Sequence, residues 1–569
     1  SSLFLTLFFV TYVTSALVPA HECVRSRTCL SHDFEVTGAP DLDQEISLTF
    51  AVKLTNTDRL HEIIDDVSNP ASENYGKHWS FDDINALTAN PDATRYVVEY
   101  LQGFVSMEQI DMTPHGGFVT ATTTLAVAQE IIGQKYHEFT SPLTGMKVIR
   151  TFAFELPEEV LQLVDYVFPT VQFPPTFSGK PFITSSAPNA GTITPKNLNS
   201  YYNITSNTVT NAKATQCLFE ALGQSYSPDD LSTFQVRYGL PQDALDTVIG
   251  PNDPTACAKN PNNCAEANLD VQYMMAIAQK SPTTYWSEPR SLGDIFYKWI
   301  QEVAADPNPP LVHSISYGSI EDELGTSTQI RFNDEVGKLG AQGVTIVVSS
   351  GDDGVANFGA RSDKTQCGFH PSYPASCPYV IAVGATKGPE NNQPEVACQS
   401  DNGGIITTGG GFSTTFSSPS YQTKEVATFQ SNSTACPPKN LFASGGRGYP
   451  DVSMAGYNYE VVIGGNVYQV SGTSASAPVF AGVITLVNSQ RLSKGKSAVG
   501  YANPALYSLF ESNPSLYKDV TSGNNKCCAQ SGLKPVCCDY GFYCTKGWDP
   551  VTGLGSVNVG KFVDAMVKL

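Results

Sequence analysis

Apolar and polar positions follow two different rhythms along the chain. In the amino-terminal part, the alternation typical of strands runs over residues 45–54, 118–122 and 146–152. The spacing of three and four that is typical of helices runs over residues 58–67, 82–101 and 125–132. Strands and helices mixed over a short length predict a small α+β domain.

The rhythm changes after about residue 195. Short β-branched apolar runs predict buried strands at residues 216–222, 311–316, 344–350 and 379–385. Helical spacing covers stretches between them, such as 266–279 and 329–339. Buried strands that alternate with helices predict an α/β domain, with a parallel sheet and helices on both faces. Ligands bind beyond the carboxyl ends of the strands in such sheets.

Residues 173–195 separate the two patterns. This stretch is rich in Pro, Gly, Ser and Thr and poor in charge. Its composition indicates an exposed linker that proteases could cut, and a long loop packed on a domain surface is the alternative.

The first residues are apolar over 3–13 and turn small at 14–16. This order is typical of a secretory signal sequence, so we expect a signal remnant over residues 1–16. A membrane anchor or a buried strand is the alternative. The apolar core is too short to span a bilayer comfortably.

Composition narrows the class of protein. With 569 residues, the chain is long enough for two or more domains, and 41% apolar against 15% charged residues favours a compact globular protein. The formal net charge of -20 repels nucleic acid and anionic lipid, so we expect neither as a partner. An acidic surface also suits a protein that works at low pH.

The chain contains 14 cysteines, and in an exported protein some of them are expected to pair. Vicinal pairs favour a disulfide-stapled loop over a zinc site in the dense group near the carboxyl end, which comprises Cys527, Cys528, Cys537, Cys538 and Cys544. Cys257 and Cys264 are candidates to close a second loop. The spacing leaves the full connectivity open. Asn203 and Asn432 begin N-x-Ser/Thr glycosylation signals.

The sharpest motif is SGTSASAP at residues 471–478, followed by an apolar helical stretch. A glycine-rich approach that ends in serine at a helix start exposes the hydroxyl and directs helix N–H groups at an anion formed beside it. The motif therefore predicts Ser474 as a nucleophile. A serine that only caps a buried helix is the alternative. The motif resembles the nucleophile motif of subtilisin-like peptidases.

A subtilisin-like peptidase would also need a histidine base, and the expected base is missing from this chain. After residue 196 the only histidines are His313, within an apolar strand, and His370, in a loop with Cys and Pro. We interpret both as structural. Glu266 and Asp270 instead lie four residues apart on one face of a predicted helix, a face that continues as Tyr273 and Ile277.

Two close, desolvated carboxylates share a proton and have a raised apparent pKa. Glu266 then acts as general base to Ser474, with Asp270 orienting it. A solvated acidic helix face is the alternative. Asp352 follows a predicted buried strand in SGDDG, and a protonated Asp there would donate a hydrogen bond to an oxyanion. A structural turn is the alternative for Asp352.

Together these residues resemble the sedolisin family of serine-carboxyl peptidases: SGTSASAP, Glu266-x-x-x-Asp270 and SGD at 350–352. YGKHWS at 75–80 and PPTFSGKP at 174–181 are similar to the family's propeptide, and GGGFS, PSYQ and PDVS to its peptidase domain. EANLDVQYMM, HSISYG, GGGFSTTF and SGTSASAPVFAG look like the versions of the lysosomal tripeptidyl peptidase subgroup.

The resemblance implies a subtilisin-like parallel sheet flanked by helices, preceded by a small α+β, ferredoxin-like propeptide domain. The expected boundaries are a propeptide at 17–172, a linker with the activation cleavage at 173–195 and a peptidase domain at 196–569. It further implies a zymogen, an acid pH optimum, an acyl-enzyme on Ser474 and release of tripeptides from peptide amino termini. The implied partners are peptide and protein substrates and the chain's own propeptide, which acts as an intramolecular inhibitor. We expect the secretory pathway, with a lysosomal or extracellular destination, and no membrane partner.

The resemblance also implies a Ca²⁺ site near the carboxyl end. Asp519 and Asp549 would supply carboxylates, and Val520, Thr545 and Gly547 carbonyl oxygens. Thr545 stands where the family often has Gly. A glycine-rich turn with two surface aspartates is the alternative.

Two other functions remain open from the residues. An endopeptidase of the same family would differ only in how the cleft is closed at the substrate's amino end. A catalytically inactive relative would bind peptides or partners, and the intact set of Ser474, Glu266, Asp270 and Asp352 argues against it.

Overall fold

A computed structural model describes residues 15–19, 34–142, 145–174, 182–184, 191–289, 295–530 and 534–569. Most of the predicted signal sequence, residues 1–14, lies outside the described residues. So do 175–181 and 185–190 of the predicted linker.

The chain forms two compact units, and one early segment belongs to the later unit. The described residues up to 55 and from 88 to 174 form the first unit, and those of 56–87 group with the described residues after 174 in the second. Strands and helices are numbered separately in chain order. The early segment contains α1 (Thr57–Ser68) and α2 (Phe81–Thr88).

The first unit contains nine of the described strands and three of the described helices. The strands are β1 (Ser15–Pro19), β2 (Glu35–Gly38), β3 (Glu45–Val52), β4 (Ile110–Met112), β5 (Phe118–Thr124), β6 (His137–Thr140), β7 (Lys147–Arg150), β8 (Ala153–Pro157) and β9 (Val164–Phe168). The helices are α3 (Pro91–Gln102), α4 (Leu125–Ile131) and α5 (Glu158–Leu161).

The central sheet of this unit has the order β4-β5-β3-β9 and is antiparallel throughout. Along the chain, α3 lies between β3 and β4, and α4 lies between β5 and β9. This is the split β-α-β arrangement of a ferredoxin-like domain, as predicted. Apolar side chains from the sheet and helices, including Leu48, Phe50, Val97, Val119 and Ile131, form its buried core.

The second unit contains the remaining elements. The strands are β10 (Phe182–Thr184), β11 (Gln216–Glu220), β12 (Thr247–Ile249), β13 (Thr283–Ser287), β14 (Val312–Ile315), β15 (Ser319–Ile320), β16 (Thr345–Ser349), β17 (Ser372–Tyr373), β18 (Ile381–Lys387), β19 (Val396–Ala397), β20 (Gly411–Ser417), β21 (Gly446–Tyr449), β22 (Val452–Ala455), β23 (Tyr459–Ile463), β24 (Asn466–Ser471), β25 (Tyr517–Lys518) and β26 (Ser556–Val557). The helices are α6 (Pro195–Tyr201), α7 (Pro228–Tyr238), α8 (Ala256–Lys259), α9 (Ala265–Ile277), α10 (Ile295–Ala305), α11 (Thr326–Ala341), α12 (Thr423–Gln430), α13 (Thr473–Ser493), α14 (Asn503–Ser512) and α15 (Val559–Lys568).

A parallel sheet forms the centre of the second unit, with the order β12-β13-β11-β14-β16-β18 and β22 beyond β18. Alternate side chains of β11 enter different cores. Leu218 packs with α9 and α13 on one face, and Phe219 packs with α10 and α11 on the other. Helices therefore cover both faces, which confirms the predicted α/β architecture.

The early segment packs against α11 of this unit. Leu60, Ile63, Ile64 and Val67 project from α1 at the spacing of one helix face and are buried with Ala341 at the end of α11. The expected propeptide range of 17–172 thus includes a helical segment that is compact with the later part of the chain.

Three disulfides lie among the described residues. Cys257 pairs with Cys264, as expected from their spacing, while Cys527 pairs with Cys537 and Cys367 pairs with Cys538. The carboxyl-terminal group is therefore a disulfide-stapled loop. Its Cys528 and Cys544 are free thiols. None of the described helices combines the length and apolarity that crossing a bilayer requires.

Candidate active site

Ser474 lies at the second residue of α13, directly after β24. The chain passes from Ser471 through Gly472 into the helix, and Ser474 is 4% exposed. Its Oγ donates to the carbonyl oxygen of Ser316 at 3.4 Å. Because the first N–H groups of a helix lack intrahelical acceptors, an anion formed beside Ser474 would meet hydrogen-bond donors.

Pro478 changes the hydrogen bonding behind this hydroxyl. In a regular helix the N–H of residue 478 would donate to the carbonyl oxygen of Ser474, but proline has no N–H. The hydroxyl of Ser316 instead approaches the Ser474 carbonyl at 3.4 Å. Ser316 follows β14, so this contact joins the start of α13 to the carboxyl edge of the sheet.

Glu266 and Asp270 lie one turn apart on α9. Every residue of α9 is buried, and both carboxyl side chains are 0% exposed. α9 approaches α13 closely at Gly482, where a Cβ atom would stand 2.8 Å from the Cβ atom of Ile277. Glycine is required for that approach, and the approach places the carboxyl pair beside the start of α13.

The electrostatics of the pair favour a held proton. Burial is the first cause that raises the pKa of Glu266 well above its ordinary value, and the charge of Asp270 is the second. Burial likewise raises the pKa of Asp270, whose Oδ2 accepts a hydrogen bond from the Ser316 hydroxyl at 2.6 Å. No described residue gives the Glu266 carboxyl a hydrogen bond of ordinary geometry, yet the Ser474 hydroxyl is close enough to lower the pKa of Glu266. Two such carboxyls hold one proton between them more easily than two negative charges.

Asp352 lies after β16 and faces the same helix start. Its Oδ1 accepts from the Thr473 backbone N–H at 2.8 Å and from the Thr473 hydroxyl at 2.9 Å. Its Oδ2 would stand 3.3 Å from a Cβ atom at Gly472, two residues before Ser474. Burial raises the pKa of Asp352 to about 6. A carboxyl that is protonated below that pH can donate a hydrogen bond.

The structure adds three residues that the sequence did not reveal: Ser316, Tyr317 and Glu220. Glu220 ends β11 and is fully buried, and the Tyr317 hydroxyl donates to its Oε2 at 2.8 Å. Burial and the charge of Asp270 raise the pKa of Glu220 well above its ordinary value. The sequence did contain one signal for Glu220: it is a charged residue that ends an apolar strand, at the sheet edge where ligands bind.

The two histidines of the later domain lie outside this group. His313 is fully buried in β14, and burial lowers its pKa to about 3, so its ring is neutral. Burial also lowers the pKa of His370. Neither ring forms a hydrogen bond with Ser474 in the part of the chain that the structure describes.

The expected calcium ligands meet in two loops. The Gly547 N–H donates to Asp519 Oδ2 at 2.9 Å, and the Thr545 N–H donates to Asp549 Oδ2 at 2.8 Å. Asp549 is fully buried, and burial raises its pKa to about 7. Thr545 is not among the residues with positive φ, so its backbone needs no glycine.

The ligand types of this group are those that suit a hard cation. Asp519 and Asp549 contribute carboxylates to these two loops, and the Asp549 Oδ1 also accepts from the Val551 and Thr552 N–H groups at 3.1 and 2.9 Å. Among the described residues, the Val520 carbonyl oxygen has one hydrogen-bond contact, with the Thr552 hydroxyl at 3.4 Å, which leaves it able to take a further partner. Carboxylate and carbonyl oxygens are the ligands that Ca²⁺ prefers.

Two family models match the chain. The model "Pro-kumamolisin, activation domain" matches residues 32–173, and the model "Subtilase family" matches residues 277–500. Tripeptidyl-peptidase 1 of Homo sapiens is 32% identical over 535 residues, covering 92% of this chain and 91% of that protein. Physarolisin of Physarum polycephalum is 30% identical over 551 residues, covering 90% of this chain and 92% of that protein.

A solved structure shows the same fold. It is that of Pseudomonas sedolisin, a serine-carboxyl proteinase, complexed with two molecules of pseudo-iodotyrostatin. The TM-score is 0.52 and the identity 25%, and the match covers 67% of this chain and 99% of that chain.

Proposed function

Because this chain belongs to the sedolisin family of serine-carboxyl peptidases and is a serine-type peptidase, we propose that it removes tripeptides from the amino termini of peptides in acid. The observation that carries this proposal is the buried Glu266–Asp270 pair beside Ser474. His313 lies outside this group and has a neutral ring, so it does not serve as the base. Likeness to tripeptidyl-peptidase 1 over most of both chains supports the tripeptide product.

In the proposed reaction Ser474 Oγ attacks the carbonyl carbon of the scissile bond. The hydroxyl proton moves to Glu266, and the carbonyl π electrons move to its oxygen. Protonated Asp352 and the N–H groups at the start of α13 stabilise that oxyanion. Its collapse expels the amine, which takes the proton from Glu266 and leaves an acyl-enzyme on Ser474. Water then repeats the sequence and releases the acyl portion as a carboxylic acid.

Asp270 and Ser316 act through their neighbours in this proposal. Ser316 donates to Asp270 and touches the Ser474 carbonyl, so one side chain positions both the acid pair and the nucleophile. Asp270 raises the pKa of Glu266, which makes Glu266 a stronger base once the pair has lost a proton.

Mass analysis of a digested long peptide tests the product. The acid-treated protein is incubated with a peptide of about 20 residues, and the fragments are weighed over time. Successive losses of three residues from the amino terminus are expected, and acetylation of that terminus should stop them. Internal cuts that survive acetylation would instead identify the endopeptidase of the same family. No cleavage by a folded, processed protein would favour the inactive peptide-binding relative.

We further propose that residues 17–172 are a propeptide that inhibits the peptidase domain at 196–569, with activation in the linker at 173–195. The match of an activation-domain model to residues 32–173 supports this division. The disulfides support passage through the secretory pathway, to a lysosomal or extracellular destination.

We also propose that Ca²⁺ binds between Asp519, Val520, Thr545, Gly547 and Asp549. The ion would neutralise a buried carboxylate and join the loop after β25 to the loop before β26. Its role in this proposal is structural, because the reaction at Ser474 is complete without it.

A further inference from the structure

A short strand of the linker lies beside the strand that leads to the nucleophile. β10 pairs antiparallel with β24, with Phe182 opposite Ser471 and Thr184 opposite Gln469. β24 continues through Gly472 into α13 and Ser474. A chain segment on this edge of β24 therefore ends near the nucleophile.

Because the pairing is antiparallel, it determines whether the substrate residues before or after the cleaved bond would lie on this edge. β24 runs toward Ser474, so its partner runs away from Ser474 in the amino-to-carboxyl direction. A peptide in the position of β10 would place its bond near Ser474 and then continue along β24 with the residues after that bond. Those residues are the leaving portion of a peptidase substrate.

The hairpin of β23 and β24 shows which backbone groups face outward. Its two-residue turn is Gly464-Gly465, both with positive φ, between the paired residues Ile463 and Asn466. Such a turn closes with a hydrogen-bonded pair, and hydrogen-bonded and non-hydrogen-bonded pairs then alternate along the ladder. The N–H and C=O groups of Val467, Gln469 and Ser471 consequently point away from β23, toward the outer edge.

β10 covers two of the three outward-facing positions on that edge. It stands opposite Gln469 and Ser471, while Val467 has no strand partner on this side among the described residues and is 37% exposed. Every second residue of β24 thus offers a donor and an acceptor to an extended chain, over a length greater than that of β10.

We propose that the outer edge of β24, at Val467, Gln469 and Ser471, binds the leaving portion of the polypeptide substrate as an added strand. The inference rests on the proposed peptidase function. In the precursor, β10 occupies this edge with the direction that a substrate would have. The contacts are to backbone groups, so the edge accepts extended peptides of any sequence, and a peptidase that removes short amino-terminal pieces always has a leaving portion to bind.

A ladder of peptide lengths tests the proposal. Peptides with the same first three residues carry leaving portions of about one to ten residues, and kcat/KM for tripeptide release is measured by mass spectrometry with the processed enzyme. As the leaving portion lengthens past Ser471, Gln469 and Val467, kcat/KM should rise in three steps that are two residues apart. Each step should be roughly two- to tenfold, as expected for added backbone hydrogen bonds.

Backbone methylation and one variant locate the contact. N-methylation at successive leaving-side positions should lower kcat/KM at every second position only, because alternate N–H groups face β24. Val467→Pro removes one outward N–H and should erase the outermost step, whereas Val467→Ala keeps the N–H and should keep that step. Circular dichroism of both variants checks that the hairpin is intact.

Two results would overturn the proposal: kcat/KM independent of leaving length, or a smooth rise with no period of two. In both cases tripeptide release continues, so the proposed function stands while the inference fails. If no peptide of the series is cleaved, the proposed function itself is wrong.

Discussion

At the scale of single residues, burial gives the acid pair its chemistry. An exposed carboxylate with a pKa near 4 is a weak base for a serine hydroxyl. Glu266 and Asp270 are 0% exposed and close to each other, and both effects raise the pKa of Glu266. Sharing a proton leaves the pair partly ionised in acid, where a histidine would be fully protonated.

Loss of the nucleophile is the first test at this scale. Ser474→Ala should lower kcat/KM by at least about 10³-fold and leave the fold unchanged, because the acyl-enzyme can no longer form. Ser476→Ala is the matched control, since Ser476 lies on the same helix but donates to the carbonyl oxygens of Met454 and Ala455. Comparable activity in the two variants would contradict the assignment. Peptide hydrolysis and circular dichroism measure the outcome.

Asp352 sets the expected pH profile. Its pKa is raised to about 6, so in the proposed mechanism it would donate to the oxyanion below that pH and repel the oxyanion above it. Activity should therefore fall as pH rises through about 6, and it should also fall in strong acid as the Glu266–Asp270 pair becomes fully protonated. The resulting bell lies on the acid side of neutrality, and the raised pKa values place its optimum above the range of roughly pH 3 to 5 that ordinary carboxyl groups would give.

Neighbouring substitutions sharpen this pH test. Asp352→Asn should flatten the alkaline limb, because an amide donor does not ionise. The charge of Asp353 raises the pKa of Asp352, so Asp353→Asn should move the alkaline limb to lower pH. A wild-type rate that rises steadily from about pH 5 to 8 would contradict the carboxyl mechanism and favour a histidine base.

The sequence predicts the residues that form motifs and misses those that only the fold brings together. Ser474 stands in a rare string, and Glu266 and Asp270 share a helix face. Ser316 and Glu220 follow or end strands that are adjacent only in the sheet order β11-β14. No local pattern encodes that adjacency, so their part in the site required the structure.

At the scale of elements, the segment 56–87 carries a pH-sensitive contact with the rest of its unit. His78 Nε2 hydrogen-bonds the carbonyl oxygen of Ala498, and burial and the cationic Arg491 lower the pKa of His78. The Tyr75 ring also faces Arg491. Because its folded pKa is depressed, neutral His78 stabilises this packing above about pH 6.5, and that stability is lost as pH falls.

Hydrogen exchange of this segment should record the change. Amides of residues 57–67 should exchange faster at pH 4 than at pH 7 after correction for intrinsic rates, and His78→Gln should remove most of the difference. His61 has the opposite sign, because its hydrogen bond to Asp334 raises its pKa, so His61→Gln should not remove it. Equal pH dependence in wild type and His78→Gln would contradict the role of His78.

The carboxyl-terminal loops give a second element-scale test. If Ca²⁺ joins them, chelation should lower the melting temperature by several degrees, and Asp519→Ala should remove that response. Asp539→Ala is the control, because that exposed side chain pairs with Lys364 instead. Elemental analysis that finds no calcium in active enzyme would end the proposal.

Element predictions succeed where one face is apolar. The spacing over 58–67 and 266–279 predicts helices that the structure has as Thr57–Ser68 and Ala265–Ile277. The same spacing carries no information about which partner an apolar face meets. The expected propeptide range therefore gave no sign that α1 packs on α11.

At the scale of the whole molecule, a strand of the proposed linker lies beside the strand that leads to the proposed nucleophile. β10 lies on β24, and Ile193 is bridged to Tyr459 on the neighbouring strand β23, so the chain is attached on both sides of residues 185–190. A net charge of -20 at neutral pH becomes smaller in acid as carboxylates take up protons. Acidification thus changes the charge of the whole precursor while it brings the proposed catalytic groups into their working ionisation states.

Acid treatment of the precursor should cut the chain between Phe173 and Lys196. Ser474 is in the same unit as the linker strand, so the Ser474→Ala precursor should remain full length in acid when purified alone. Amino-terminal sequencing of the wild-type product identifies the cut, and the rate at several protein concentrations shows whether it is intramolecular. A first-order conversion independent of concentration is expected when each molecule cuts its own linker. Conversion of purified Ser474→Ala at the wild-type rate would show that another protease makes the cut, and an active enzyme that keeps residues 34–174 attached would contradict the propeptide assignment itself.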